Sequence, residues 1–555
     1  MSSHRIMLSS KSNILQLTSL MQKKGISDVV VCPGSRNAPL IHTFASAGMQ
    51  CYEITDERSA GFFALGLIDA KERPIAVCCT SGSAVLNLAP AVAEAFYRPL
   101  PLLVITADRP EQWIGQMDGQ TMPQQSAFGQ TVQKTVSVPE SEDSSWYANR
   151  LINEALLTLE RTKGPVHINI PLSEPLFEFT ATALPDTRVI SQSSSNRSAH
   201  LSDESISIWR NAHRPMIIIG QLQPIEARRV EKYLCKLRSH GVVILAEELS
   251  NIKQEYITNR YFDNVISQET GNNLFPDLVV TLGGHIVSKN LKQWLRKFQS
   301  QHHWSIRHTG DVADLFQCLT MVWECNADSA VELLSQYLPL QIDTDYTDEW
   351  GNSIGIIPMK PRSWELDVLG RALKDVPDSW NIHVANSSMV RDIQKLPSTG
   401  CNIYCNRGIN GIEGSVSAAI GLAAGSRKNT LLLIGDLSFF YDKNGLWNNY
   451  AKGGKLPDGG QVCLSILLIN NGGGRIFQNI PGMERTPYRD TMVSGKHSTT
   501  AEGVAIECNC GYKAIGCETG LDKGIEWLLG NDGDSDKRIR ILEVHPSCSS
   551  YSNQQ

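Results

Sequence analysis

The residues best placed to do chemistry stand in two short runs, "IGDLS" at 434–438 and "LLINNGGGRIF" at 467–477. Each closes an apolar stretch of strand character, "TLLLIG" in the first case and "VCLSILLI" in the second. If the two stretches are adjacent strands, they bring the Asp436 carboxylate, the Asn470 and Asn471 amide oxygens and the carbonyls of a glycine loop to one spot. Hard oxygen ligands suit Mg²⁺, which keeps a partial protein shell and completes its octahedron with phosphate and water. The run Gly472, Gly473, Gly474 lets a backbone come close to a phosphate group. Taken singly, Gly-Asp is also a plain turn and Asn-Asn-Gly a type I′ hairpin signal. Taken together, each at the end of a buried strand, they favour a metal and phosphate site.

A second candidate is Glu57 in "TDERSAGFFALGL", 55–67, where three charges precede a small, apolar run of helical character. Acidic residues at a helix start are stabilised by its dipole, and Asp56 or Thr55 can serve as the cap. Glu57 is then either another helix-entry charge or a carboxyl placed for chemistry, and both roles can hold in one turn.

The elements that must carry these groups follow a repeating form. "DVVVC", "RPIAVCCTSGS", "PLPLLVITADRP" and "GPVHINIPLSEP" are short apolar runs that end in Gly, Pro or charge, with helical segments such as "NILQLTSLMQKKG" between them. Buried strands alternating with helices predict a parallel sheet covered on both faces, with ligands at the carboxyl ends of the strands. The pattern recurs in "RPMIIIGQ", "GVVILAEE" and "PDLVVTLGGHIVSK", and again in "WNIHVANSS", "NIYCNRG", "NTLLLIGDLS", "VCLSILLINNGGG" and "IRILEVHP". The expected fold class is therefore α/β, with three doubly wound parallel-sheet domains at 1–182, 206–340 and 360–555. The Ser-rich stretch 183–205 and the polar "IDTDYTDEWGNSIGIIP" are expected to be linkers.

The bulk composition excludes several classes. A chain of 555 residues is too long for one core. With 41% apolar and 19% charged residues and a net charge of −6, it reads as a globular protein with no electrostatic sign of nucleic-acid binding. No apolar run reaches the roughly 18 residues of a membrane span, and "MSSHRIMLSSKSN" lacks the apolar core of a secretory signal. The 14 cysteines form no C-x-x-C pair or zinc-spaced cluster, so reduced, buried thiols and a cytoplasmic location are expected.

Gly-Asp followed by Asn-Asn some thirty residues later resembles the thiamine diphosphate motif of the decarboxylases and carboligases. Two departures stand out: Leu437 follows Asp436 where most of that superfamily has Gly, and Asn471 lies 35 residues after Asp436, with "GGKLPDGG" (453–460) as the expected insertion. The Leu variant is similar to the branch that serves menaquinone biosynthesis. "CPGSRNAPL" (32–40), "TSGSAVLNLAPAVAEA" (80–95), "TADRP" (106–110), "ANSSMVRDI" (385–393), "NRGINGIEG" (406–414) and "GDLSFFYDKNGL" (435–446) resemble the blocks of that branch in their expected order.

The resemblance implies a thiamine diphosphate-binding fold, with a pyrimidine-binding domain first, a central domain, and a diphosphate-binding domain last. It implies thiamine diphosphate with Mg²⁺ or Mn²⁺ as cofactors. Glu57 matches the carboxyl that hydrogen-bonds the aminopyrimidine ring and relays a proton there. Asp436 and Asn471 would ligate the metal through side chains and Gly473 through its carbonyl. Gly435, Leu437 and Ser438 would border the diphosphate, Ile412 would prop the bent cofactor, and Ile476 and Phe477 would line the pocket.

The implied substrates are 2-oxoglutarate as donor and isochorismate as acceptor, both dicarboxylates that suit planar arginine forks. Arg391 and Arg407, with Ser387, match the donor side. Ser35, Arg36, Arg109, Gln120 and Lys289 match the acceptor side, with Gly119 standing where relatives carry a polar residue. The superfamily also implies a homodimer or homotetramer with Glu57 and Asp436 serving one cofactor from different subunits. Against this stand two alternatives: a carboligase of acetohydroxy acid synthase type acting on small apolar oxo acids, and a non-catalytic member.

Overall fold

In a computed structural model, described over residues 7–193, 199–268, 274–352, 363–451, 453–530 and 538–545, the chain forms two compact units. The first comprises Met1–Gln192, Ser379–Asn386 and Asn406–Pro546, and the second Ser193–Asp378, Ser387–Cys405 and Ser547–Gln555. The first and last stretches of the chain thus fold together, although the sequence pattern reads them as separate domains.

The first unit contains a six-stranded sheet in the order Gln50–Glu53, Asp28–Val31, Ile75–Cys79, Leu102–Asp108, Val166–Pro171, Lys134–Ser137, all pairs parallel. Its central strands are buried on both faces, as their continuous Val, Ile and Leu runs require. A second sheet in this unit runs Asn381–Val384, Thr430–Gly435, Leu464–Ile469, Ile539–Val544, Gly511–Ile515, again parallel.

The two sheets are joined through the helices Glu57–Lys71 and Ser415–Ser426, both almost wholly buried. Glycines let them cross at backbone distance: a Cβ on Gly66 would strike the Ala418 carbonyl, and one on Gly421 the Phe63 carbonyl. The common core they organise includes Phe62, Phe63, Val416, Ile420, Leu432 and Ile466. This contact ties the helix that begins at Glu57 to the sheet that carries Asp436.

The second unit holds a parallel sheet in the order Val243–Ala246, Pro215–Ile219, Leu278–Leu282, His302–Arg307, Met321–Glu324. The stretch expected to be a second linker is partly helical, over Thr344–Asn352. Its aromatic residues four apart, Tyr346 and Trp350, lie in the core of this unit among Met216, Leu245 and Trp294. Burial of those two rings outweighs the polarity of the run around them. The first expected linker also makes contacts, since the Arg188 carbonyl accepts from both Asn149 and Asn153. Cys32, Cys78 and Cys79 are buried free thiols, and among the described residues no helix is long and apolar enough to cross a membrane.

Candidate active site

Strands Thr430–Gly435 and Leu464–Ile469 are direct neighbours, with Gly435 opposite Ile469, so Asp436 and the Asn-Asn-Gly run emerge side by side. Asn-Asn-Gly is therefore a strand-end loop and not a hairpin. Asp436 is only 3% exposed and opens the short helix Asp436–Tyr441. Its Oδ1 accepts the Leu437 N–H at 2.7 Å, and its Oδ2 accepts those of Asn471 at 3.1 Å and Gly473 at 2.9 Å. Three backbone donors fix the carboxylate from one side.

The two asparagines have opposite roles. Asn470 turns inward: its amide donates to Glu543 Oε1 at 2.6 Å and to the Thr499 carbonyl at 2.8 Å, while its Oδ1 accepts the Gly472 N–H at 3.2 Å. Glu543 is fully buried and also accepts from Tyr512 Oη at 2.6 Å and Ala501 N at 3.0 Å. Asn471 Oδ1, in contrast, is buried and has no hydrogen-bond partner among the described residues. A buried acceptor without a partner is costly, and one beside a carboxylate is what a hard cation would satisfy. Among the described residues no group of three His, Cys, Asp or Glu side chains converges. The side-chain oxygens brought together here are one carboxylate and one amide oxygen, hard donors that fit Mg²⁺ or Mn²⁺ with phosphate and water completing the shell.

The glycine loop is held against the segment after it. Gly474 N donates to the Ser494 carbonyl at 2.6 Å and His497 N to the Gly472 carbonyl at 3.1 Å. A Cβ on Gly473, whose φ is +145°, would stand 2.9 Å from the Ser494 carbonyl. His497 Nε2 lies 3.4 Å from Asp436 Oδ2, and its Nδ1 accepts the Thr499 N–H at 3.1 Å. That acceptor role leaves the proton on Nε2, facing Asp436. Neither His497 nor Glu543 was singled out from sequence. A carboxylate inside the apolar run "ILEV" is the signal that could have marked Glu543, and no pattern marks His497.

The charged triplet 56–58 divides its work. Asp56 is the N-cap, its Oδ1 accepting the Ser59 N–H at 3.0 Å, while its Oδ2 accepts from Asn444 at 2.8 Å. Arg58 donates to the Tyr441 carbonyl at 2.7 Å and lies 4.7 Å from that residue's ring centroid. Glu57, half-buried, receives one long contact from Asn87 at 3.4 Å. Its surroundings are short of water: burial pushes the Cys32 and Cys79 thiols well up, and the Glu57 charge adds to the effect on both. Glu57 opens the helix Glu57–Lys71 and Asp436 the helix Asp436–Tyr441, and the two carboxylates accept from different residues.

Arg36 and Arg109 converge at the carboxyl edge of the first sheet. Arg36 is buried, with Nη1 donating to the Leu172 carbonyl at 3.0 Å and Nη2 3.3 Å from Glu174. Its pKa is lowered, first by burial and next by the Arg109 charge. Arg109 Nε donates to the Gly119 carbonyl at 2.9 Å and lies 3.0 Å from Asp118. The departure at Gly119 is thus harmless to packing: its backbone makes the contact, and a Cβ there would meet open space. Ser35 is exposed just before Arg36, and Gln120, at φ +56°, packs its backbone against Gly82.

Arg407, 4% exposed, donates through Nη1 to Asn386 Oδ1 at 3.0 Å, and its Nε is buried with no hydrogen-bond partner among the described residues. Ile412, further along the same loop, is 36% exposed. Gly435, Leu437 and Ser438 surround Asp436 in sequence, and Ile476 and Phe477 lie half-buried after the glycine loop, with the Phe477 ring against Gly474. Ser387 and Arg391 belong to the second unit, where Arg391 Nη1 donates to the Ser387 carbonyl. Lys289 is exposed there at the start of the helix Lys289–Lys297. Gln120, Ser387 and Asn410 are non-glycine residues at positive φ, +56°, +69° and +61°, a strained geometry that concentrates at functional loops.

The profile described as "Thiamine pyrophosphate enzyme, N-terminal TPP binding domain" matches residues 16–132, and "Middle domain of thiamine pyrophosphate" matches 182–341. The chain is 44% identical over 532 residues to a 2-succinyl-5-enolpyruvyl-6-hydroxy-3-cyclohexene-1-carboxylate synthase of Phocaeicola vulgatus, covering 94% of this chain and 93% of the relative. A protein of the same name from Porphyromonas gingivalis is 36% identical over 566 residues, covering 97% and 94%. Among solved structures, a putative thiamin diphosphate-dependent enzyme from Mycobacterium smegmatis superposes with a TM-score of 0.71 at 17% identity, over 97% of this chain and 100% of that one. Benzoylformate decarboxylase from Polynucleobacter necessarius gives 0.72 at 15% identity, over 96% and 98%. These likenesses show the thiamine diphosphate-enzyme fold.

Proposed function

The chain belongs to the family of 2-succinyl-5-enolpyruvyl-6-hydroxy-3-cyclohexene-1-carboxylate synthases, thiamine diphosphate-dependent enzymes, and from that premise we propose its substrates and the residues that serve them. The donor is 2-oxoglutarate, which loses CO₂, and the acceptor is isochorismate, to whose ring alkene the succinyl unit adds. The observation that carries this reading is the Arg36–Arg109 pair, two guanidiniums drawn together at a strand end, one of them buried. Each guanidinium rests against a carboxylate, Glu174 for Arg36 and Asp118 for Arg109, and planar forks that already pair with carboxylates suit a dicarboxylate ligand.

Thiamine diphosphate supplies the electron sink that a 2-oxo acid needs to lose CO₂ and act as a nucleophile. Asp436, Asn471 Oδ1 and the Gly473 carbonyl would hold its divalent metal, with Gly435, Leu437 and Ser438 beside the diphosphate and Ile412, Ile476 and Phe477 against the rings. Glu57 would hydrogen-bond the aminopyrimidine and pass a proton there through its carboxyl group. Ser387, Arg391 and Arg407 take the donor carboxylates. Ser35, Arg36, Arg109, Gln120 and Lys289 take the acceptor. Orientation of two dicarboxylates by paired forks accounts for part of the rate. Glu57 and the Asp436 loop meet across a homodimer of closed two-fold symmetry. Support for this comes from their separate partners within the chain and from exposed apolar residues such as Trp113, Met117 and Trp447 on the first unit.

The test is a product assay with isochorismate, 2-oxoglutarate, thiamine diphosphate and Mg²⁺, run beside pyruvate as donor. Formation of the succinyl adduct with release of CO₂ is expected. Preference for pyruvate would refute the assignment of substrates and favour an acetohydroxy acid type of carboligase. Sedimentation at working concentration checks the assembly; a monomer with full activity would refute a shared site.

A further inference from the structure

The block "TSGSAVLNLAPAVAEA" carries, one residue before its end, a charge to which the proposed chemistry gives no role. Glu94 lies on the helix Ala89–Tyr97, where its neighbours Ala91, Val92 and Ala95 are small, apolar and fully buried. Glu94 is itself only 1% exposed. A carboxylate in such a place is costly unless its lone pairs are matched, so its partners are informative.

Those partners lie on the loop that carries Arg407 and Ile412. Glu94 Oε1 accepts the Gly408 N–H at 2.8 Å, and Oε2 accepts the Ile409 N–H at 3.0 Å. Arg98 is nearby, its Nε 3.9 Å from Glu94 Oε1, but its Nη2 is engaged by buried Asp69 at 2.7 Å and its Nη1 by Asn406 at 3.5 Å. Arg98 is thus shared between the Asp69 and Glu94 carboxylates, and the successive loop N–H groups form a small nest for the Glu94 oxygens. Burial raises the Glu94 pKa, while Arg98 and the two N–H groups act in the opposite sense.

The fit is close from the loop side as well. A Cβ on Gly408 would lie 2.7 Å from the Glu94 carbonyl and 2.9 Å from its Oε2. On its far side the loop is tied by Asn386, whose amide donates to the carbonyls of Asn406 at 2.5 Å and Gly411 at 2.8 Å, and whose Oδ1 holds Arg407. The backbone around Arg407 is thus gripped from two elements, and only one of them belongs to its own sheet.

We propose that Glu94 is a positioning residue for the donor side of the site: by accepting the Gly408 and Ile409 N–H groups, it fixes the loop that presents Arg407 to a dicarboxylate 2-oxo acid. The proposal rests on the reading of Arg407 as a donor ligand. A carboxylate is required because both acceptors must face N–H donors. In Glu94→Gln one of them becomes an NH₂ group pointing at an N–H, and the loop must shift. The Gly411 end, next to Ile412, keeps its Asn386 anchor.

The experiment measures apparent KM for each substrate and thiamine diphosphate affinity in the holoenzyme. Glu94→Gln is expected to raise the KM for 2-oxoglutarate about tenfold, with the isochorismate KM and the cofactor affinity within about twofold of the parent. Glu94→Asp, which keeps two acceptors, should recover part of the loss. Gly408→Ala strains the same contact from the loop and should reproduce the donor-selective effect, so it decides the matter if Glu94→Gln fails to fold. An unmoved donor KM in both variants, or an equal rise for both substrates with weakened cofactor binding, would overturn the anchor. Arg407→Ala separates the two layers. If it too leaves the donor KM unmoved, the donor reading itself has failed and the proposal falls with it. If it raises the donor KM while Glu94→Gln and Gly408→Ala do not, only the anchor is wrong.

Discussion

Replacing the two adjacent asparagines in turn by alanine should give effects of opposite kind, although sequence makes them look equivalent. Asn470 makes three hydrogen bonds, one of them to the buried Glu543 carboxylate. A bond to a charged group is worth about 1.5–3 kcal/mol and each of the two neutral ones about 1, so Asn470→Ala should destabilise the cofactor-free protein by about 3.5–5 kcal/mol. Asn471 Oδ1 is buried with no partner among the described residues. Removing it also removes an unsatisfied acceptor worth about 1–3 kcal/mol of desolvation, which offsets the small cavity left behind. The cofactor-free Asn471→Ala protein should therefore match the parent or gain about 1 kcal/mol.

The order reverses when thiamine diphosphate and Mg²⁺ are added. At a hundred times Kd a ligand stabilises the folded state by about 2.7 kcal/mol, and a hundredfold loss of affinity would cut that to about 0.4. Asn471→Ala should show the cut, measured by denaturation with and without cofactor and by calorimetric titration. If the cofactor-free Asn471→Ala protein falls as far as Asn470→Ala while its response to cofactor stays whole, Asn471 is structural and the metal assignment is wrong.

Glu57→Gln should abolish turnover while cofactor affinity by calorimetry stays within a few-fold, because an amide accepts the ring hydrogen bond but cannot relay a proton; retained turnover would rule Glu57 out as the relay. Arg391→Ala should raise the KM for 2-oxoglutarate more than that for isochorismate, and the reverse order would move Arg391 to the acceptor. Asp442 is buried at the end of the Asp436–Tyr441 helix, where burial pushes its pKa to about 7 against the opposing N–H and hydroxyl of Ser417. A carboxyl raised in the folded state contributes stability that is full below its unfolded pKa and lost as pH rises through about 7. The parent should therefore lose stability relative to Asp442→Asn between about pH 4 and pH 7, by up to about 1.4 kcal/mol per pH unit; parallel profiles in chemical denaturation would refute that shift.

Continuous apolar runs made most inner strands legible, and "TLLLIG" and "VCLSILLI" form the neighbouring pair that the site requires; the inner strand His302–Arg307 was missed, because His303 and Ser305 break its apolar run. Gln50–Glu53, Lys134–Ser137, Met321–Glu324 and Gly511–Ile515 were not legible, because they lie at sheet edges and bury too few residues to show a pattern. The helix Thr344–Asn352 was missed for a related reason, since two buried rings stabilise it within a polar run.

By itself the sequence placed Asp436, Asn471 and several arginines at the ends of apolar, strand-like runs and Glu57 at the start of a helical one, while the chemistry expected of them came from the family resemblance. Those placements follow from local pattern, because strand ends and glycine turns are written in consecutive residues. Only the tertiary structure decided how identical neighbours divide their roles. It turned Asn470 inward to Glu543 and left Asn471 open, made Asp56 the cap and Glu57 the half-free carboxyl, and brought Glu94 against a loop more than three hundred residues away. Such assignments depend on which distant backbone groups need a partner, and that is set only once the sheets and helices have packed.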